Sequence, residues 1–156
     1  MECILSTLAR IPIIEFVLFI AWWFVTAAQW RGLPVEGPDE LSLDERQLGA
    51  TVIISEMTGI LTACSIIITG IAAFAAILGS QPPAETAPHL GWAALYAVVA
   101  LFLALWVMSA LPARVTRKNV LRSKSVATIC AIALYLSLIA GVRFVFGIWS
   151  FVLWPA

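Results

Sequence analysis

The run ATVIISEMTGILTACSIIITGIAAFAAIL, residues 50–78, holds a single charged residue, Glu56. At 1.5 Å per residue it is longer than the roughly 20 residues a helix needs to cross about 30 Å of hydrocarbon. Lipid offers no partners to backbone N–H and C=O groups, so such a run must be helical. A buried helix of a water-soluble domain would be shorter, about 10 to 14 residues, and polar on one side. Working outward, three further apolar runs of this kind appear, at 11–30, 91–111 and 126–154. The expectation is therefore an all-α, polytopic membrane four-helix bundle, a single transmembrane domain over 1–156, with connectors at 31–49, 79–90 and 112–125.

Composition agrees. The chain has 156 residues, is 62% hydrophobic and 12% charged, and has a mean hydropathy of +1.01, outside the range of ordinary soluble domains. Nine basic and nine acidic residues cancel, so nothing in the net charge points to nucleic acid. Cys3, Cys64 and Cys130 are far apart, without a CxxC pair or a nearby histidine; they read as small apolar residues, and no metal site is expected. The N-terminal MECILSTLARIPIIE lacks a basic n-region and a small-residue cleavage site, so the first apolar run is expected to be retained.

The connectors differ in kind. The first, RGLPVEGPDELSLDER, carries five acidic residues and two prolines and closes on Ser42-Leu43-Asp44-Glu45. That tetrapeptide is a capping box, which predicts that the second helix opens at Ser42, before the membrane begins. The second, SQPPAETAPHLG, has no basic residue, and its His89, the chain's one histidine, reads as a solvated loop side chain. The third holds Arg114, Arg117, Lys118, Arg122 and Lys124. The first and third connectors together hold seven of the nine basic residues, so the positive-inside rule places both termini on the non-cytoplasmic side. A bacterial inner membrane and the endoplasmic reticulum both satisfy this. Trp30 is then expected at the inner interface and Trp92, Trp149 and Trp154 near the outer one.

Three ionisable residues fall within the spans, Glu15, Glu56 and Arg143. Charge at bilayer depth costs about 2.5 to 3.5 kcal/mol on insertion scales, so each needs a partner, water or a function. Glu15 lies roughly 6 Å inside the outer end of the first helix and Arg143 roughly 25 Å from the inner end of the fourth, hence at similar depth. An intramembrane ion pair between them is one expectation; both side chains snorkelling to the interface is the other. Glu56 falls nearer the inner face, within reach of Arg31, Arg46 and the basic connector. Beside it, Ser55, Gly59 and Ala63 form a small-xxx-small ladder that admits another helix or serves ordinary packing.

The segment from Glu45 to Glu56, ERQLGATVIISE, resembles the E-R-x-x-x-A-x-x-N-x-x-E signature of the MAPEG family, the membrane-associated proteins of eicosanoid and glutathione metabolism. Glu45, Arg46, Ala50 and Glu56 match in register. Length, four spans, the polar first connector, Arg31 closing the first helix and the basic third connector agree in layout. The resemblance implies a trimer of four-helix bundles with thiol sites between subunits. It also implies glutathione as cosubstrate, with Arg46, Glu56 and Glu45 binding it and Arg122 and Arg31 acting catalytically, Arg114 or Arg117 being alternatives to Arg122. Two positions depart from the family: Ile53 replaces its asparagine, and Gly49 stands where the eicosanoid enzymes carry a second arginine. The third helix also lacks the family's arginine and tyrosines.

Independently of any family, an anionic tripeptide with a free amine asks for arginines at its carboxylates and a carboxylate at its amine, and its thiolate asks for a guanidinium. The competing expectation is a non-catalytic membrane component, either a subunit of a larger complex or a family member that kept the fold and lost the site. A small transporter ranks third, since the charges cluster towards the two faces and leave the midplane empty. Membrane lipids are expected partners in every reading; the basic third connector would touch anionic headgroups.

Overall fold

The computed structural model describes residues 15–17, 19–24, 43–78, 86–115 and 124–153, and every one of them is helical. We label the helices α1 (Glu15–Phe24), α2 (Leu43–Leu78), α3 (Thr86–Val115) and α4 (Lys124–Leu153). The chain divides into two units, Met1–Leu41 and Ser42–Ala156. In the first, α1 lies within the span expected at 11–30, the rest of which is outside the described residues; its Phe19 ring lies 6.4 Å from Trp22 and 6.0 Å from Trp23, as spacings of three and four residues on a helix allow.

In the second unit, α2, α3 and α4 are each long and apolar enough to cross a membrane, over Gln47–Ile77, Thr86–Pro112 and Val126–Val152. The helix that the capping box predicts begins at Leu43, the residue after Ser42. Two boundaries differ from the sequence expectation. The third helix begins at Thr86 instead of 91, because Pro88 falls in its first turn, where a missing N–H costs nothing. It also runs past Pro112 to Val115, since a proline so close to the end removes one helical hydrogen bond only. The connectors expected at 79–90 and 112–125 are shorter by those residues.

Helices α3 and α4 are apolar on all sides, so side-chain size, not hydrophobicity, chooses their inner faces, whereas α2 turns its hydroxyl residues outward and Ile53, Ile60 and Ile67 inward. The buried positions of α2 are Ala50, Ile53, Met57, Ile60, Cys64 and Ile67, and those of α3 are Leu90, Ala93, Ala97, Ala100, Ala104, Val107 and Leu111. Both step by alternating threes and fours, the 3.5-residue period of helices that cross at a shallow angle. On α4 the buried Val126, Ala133, Ala140 and Gly147 recur every seven residues. One continuous core joins all three helices. Large side chains such as Phe102, Trp106, Leu138, Val145 and Trp149 point outward.

Contacts fix the directions. Thr86 at the start of α3 meets Ser150 near the end of α4, so these two run antiparallel. Ile67 and Gly70 on α2 lie beside Gly141 and Phe144 on α4, so α2 and α4 run parallel. Helix α3 packs along both, most extensively on α4, while α2 and α4 touch over a shorter stretch. Between α3 and α4 the approach is close at Gly147, where an added Cβ would come within 2.8 Å of Leu90 Cδ2 and 3.2 Å of Leu90 Cγ. Leu90 is itself buried and has little room to turn away. Gly147→Val is therefore expected to lower the thermal midpoint in detergent by about 5 °C or more. Gly91→Ala, whose methyl meets nothing within 4 Å, should leave it unchanged or slightly raised. Equal melting of the two variants would count against the close approach.

Candidate functional site

The motif residues lie along the first half of α2. Glu45 and Arg46 fall in its first turn. Ala50 and Ile53 turn into the core, whereas Glu56 is exposed on the outward side. Ile53, at the position of the family asparagine, packs among the buried residues of the bundle. It therefore supplies neither a polar group nor an open path to one. Arg31 and Arg122 lie outside the described residues. Of the five residues expected to bind or activate glutathione, Glu56 is the one whose side-chain setting is visible. Its carboxylate is within electrostatic reach of Cys130 on α4.

The outward side of α2 is lined by small and hydroxyl residues. Thr51, Ser55, Thr58, Gly59, Thr62 and Ser65 are all exposed. Four of the hydroxyls donate to the carbonyl one turn back, Thr51 to Gln47, Thr58 to Ile54, Thr62 to Thr58 and Ser65 to Leu61, at 2.8–2.9 Å. Hydroxyl protons handled in this way can face lipid or a neighbouring helix without an orphan donor. Two turns beyond Glu56, an open groove of about 420 Å³ runs between α2 and α4. Ala63, Ile67, Leu138, Gly141, Val142 and Phe146 line it, and Ser137 is its one polar side chain apart from backbone. Ser137 is held by a hydrogen bond with Cys64 of α2. Such a groove takes a hydrocarbon chain; it has no donor or acceptor set for a polar head.

A second polar cluster sits where α3 begins and α4 nears its end. Arg143 is 94% buried, at 6% exposure, and its Nη1 donates to His89 Nδ1 at 2.9 Å. Arginine has no acceptor, so Nδ1 carries the lone pair and the imidazole proton is on Nε2. The imidazole is stacked near the Phe146 ring, with centroids 6.3 Å apart. One turn on, Ser150 donates to the Gly147 carbonyl at 2.8 Å. Its proton being used there, the fully buried Thr86 donates to Ser150 Oγ at 3.1 Å.

This corrects the reading of His89 as a solvated loop residue. The histidine is part of α3, partly buried, and bound to the buried arginine. Three prolines, Pro82, Pro83 and Pro88, and a polar run conceal the helix start from the sequence. Starting the helix at Thr86, with Pro88 in its first turn, would have brought His89 to the depth of Arg143. The ion pair expected between Glu15 and Arg143 would join the two units and is taken up as a proposal below.

Every described residue is helical and three of the helices are long and apolar enough to cross a membrane, which is consistent with an α-helical integral membrane protein. No protein-family model, no curated protein and no solved structure matches it.

The hydrogen bond from a desolvated guanidinium to a ring nitrogen is of the charge-assisted kind. In a double-mutant cycle, His89→Ala and Arg143→Ala are expected to show a coupling of roughly 1.5 to 3 kcal/mol, measured by unfolding in mixed micelles. Additive effects would mean that the two side chains contribute independently.

Proposed function

We propose that this chain is a four-helix membrane bundle of the MAPEG type, acting as a glutathione-dependent transferase or peroxidase on a lipophilic substrate. The observation that carries the reading is Glu56, an exposed carboxylate nine residues past Gln47 on a membrane-length helix. A charge kept at that depth on an outward face, at the cost stated for charge at bilayer depth, is one that binding would use. In this reading Glu56, Arg46 and Glu45 bind glutathione, with Glu56 at its amine and Arg46 at its carboxylates, and Arg31 acts catalytically with Arg122. Arg122 stabilises the thiolate. The groove between α2 and α4 supports the lipophilic half of the reaction, since its lining is apolar apart from Ser137. The outward direction of Glu56, with Ser55 and Gly59 beside it, suits a site completed by a second subunit, as the trimer of the resemblance implies. The proposal also keeps the Glu15 and Arg143 ion pair as the tie from α1 to α4.

One observation favours a second reading, a membrane subunit without catalysis. Ile53 fills the core where the family carries its glutathione-binding asparagine, and large apolar side chains cover the outer faces of α3 and α4. The exposed apolar faces suit lateral packing on a partner protein, and the buried Ile53 leaves no polar ligand at its position.

Calorimetry with glutathione in mild detergent separates the two. The first reading expects saturable binding that Glu56→Gln and Arg46→Ala each reduce at least tenfold. No binding to the unmodified chain would remove it and leave the second reading, for which stoichiometric co-purification of another membrane protein is the expected result. For the ion pair, the swap Glu15→Arg with Arg143→Glu is expected to recover folded protein that either single variant loses. A swap that does no better than the singles would refute it.

A further inference from the structure

We infer that Glu56 and the groove between α2 and α4 form one binding site for a single-chain lipophilic amine, its ammonium head at the Glu56 carboxylate and its hydrocarbon chain along the groove. The inference stands apart from the glutathione reading, and failure of that reading leaves it in place. Where both hold, the two amines compete for one carboxylate.

Matching steps on the two helices make the site continuous. On α2, Glu56, Ala63 and Ile67 are separated by seven and then four residues, so they share one face of the helix. On α4, Cys130, Ser137 and Gly141 are separated by the same seven and four. The two helices run parallel, and the three levels correspond. Glu56 is within electrostatic reach of Cys130. Ser137 is hydrogen-bonded to Cys64, the neighbour of Ala63. Ile67 Cδ1 lies 3.9 Å from where a Cβ on Gly141 would stand. The second and third levels belong to the groove, and the first continues the same seam about 10 Å before it. Between them α2 carries Gly59, where an added Cβ would meet nothing within 4 Å, so the way from the carboxylate to the groove is not closed there.

Charge and size choose the occupant. The groove has a volume of about 420 Å³ and is apolar apart from Ser137, which suits one hydrocarbon chain and offers nothing to a polar head. The head therefore lies outside it, on the level of Glu56. That side chain is exposed and, among the described residues, has no hydrogen bond or ion pair. A carboxylate on a membrane-length helix is costly when it stands alone, and a cation relieves the cost. The helices bring none to this level by sequence: α2 has no basic residue after Arg46, α3 none before Arg114, and α4 none between Lys124 and Arg143, whose Nη1 bonds to His89. An alkyl ammonium supplies the charge and the chain together. A fatty acid would set carboxylate against carboxylate, and an amine-bearing phospholipid would bring its phosphate to the same place, so both are disfavoured.

The test uses the full chain in phosphatidylcholine nanodiscs at pH 7.5, where an alkyl amine is charged as a lysine side chain is, with a pKa near 10.4. Octadecylamine with a nitroxide towards the end of its chain is compared with octadecanol and octadecanoic acid labelled at the same carbon. Electron spin resonance gives the fraction of each probe whose motion the protein restricts. The restricted fraction of the amine is expected to exceed that of the alcohol by about threefold or more, as a partly exposed ion pair allows, and that of the acid to be the lowest. Glu56→Gln should bring the amine down to the level of the alcohol. Gly141→Leu should do the same with the carboxylate intact, since its Cβ has room and the rest of its side chain enters the groove. Ala63→Leu, which fills the groove from α2, replaces it if that variant fails to fold. Equal restriction of amine and alcohol, or a preference for the amine that survives Glu56→Gln, would overturn the site. A preference that survives both groove variants would equally overturn it, because the carboxylate would then be acting alone. Glutathione is absent throughout, so the result is independent of whether the chain binds it.

Discussion

Close approach of the α3 and α4 backbones is the constraint on which the rest of the second unit depends. Within a bilayer, burying leucine against leucine gains little over leaving it in lipid, so helices associate through van der Waals packing and polar contacts. Small residues make that packing dense. Ala93, Ala97, Ala100 and Ala104 on α3, with Ala133 and Ala140 on α4, are all fully buried. Gly147 completes the seam, where even one added carbon would press on Leu90. The 3.5-residue step keeps this seam in register over the length of α3. The larger side chains of α2, Ile53, Met57, Ile60 and Ile67, then fill the remaining side of the core. A splayed α3 and α4 pair would leave that side with nothing to pack against.

Polar groups inside the unit follow from the same approach. Ser137 meets Cys64, Thr86 meets Ser150, and Arg143 meets His89. Each pair bridges two helices, so each fixes rotation and register as well as removing a desolvation cost. At one end of the seam three such features occur within two turns: the Thr86 hydroxyl, the His89 ring and the Leu90 contact with Gly147. Apolar packing of alanines tolerates sliding, since one alanine resembles the next. Directional bonds at the end of the seam remove that freedom.

Much of this was legible in the sequence. Length and apolarity give the three spanning helices, and Ser42 with Glu45 gives the start of α2 to within a residue. The inner faces of α3 and α4 were harder to see, because hydrophobicity is nearly uniform around each of them; the informative variable was residue volume, with alanine at alternating steps of three and four on α3 and small residues seven apart on α4. His89 was missed because prolines at 82, 83 and 88 read as loop, although the last of them sits where helices accept proline. Glu56 was identified as a charge within a span. Which way it pointed depended on the seam, and so on packing that a single helix does not encode. The four-residue match to a family motif is likewise silent on packing, and the burial of Ile53 adds a physical reason why its missing asparagine matters.

Glu56 and Arg143 are two answers to one problem. Both are charges at bilayer depth. Arg143 turns inward and is enclosed, its hydrogen bond to His89 satisfying one arm of the guanidinium while the helices close around it. Glu56 turns outward on a helix whose neighbouring positions are small, so nothing within the described unit encloses it. An outward charge is available to whatever docks on α2, be it cosubstrate, second subunit or partner helix. The two charges thus stand in different settings on different helices, Arg143 enclosed on α4 and Glu56 exposed on α2.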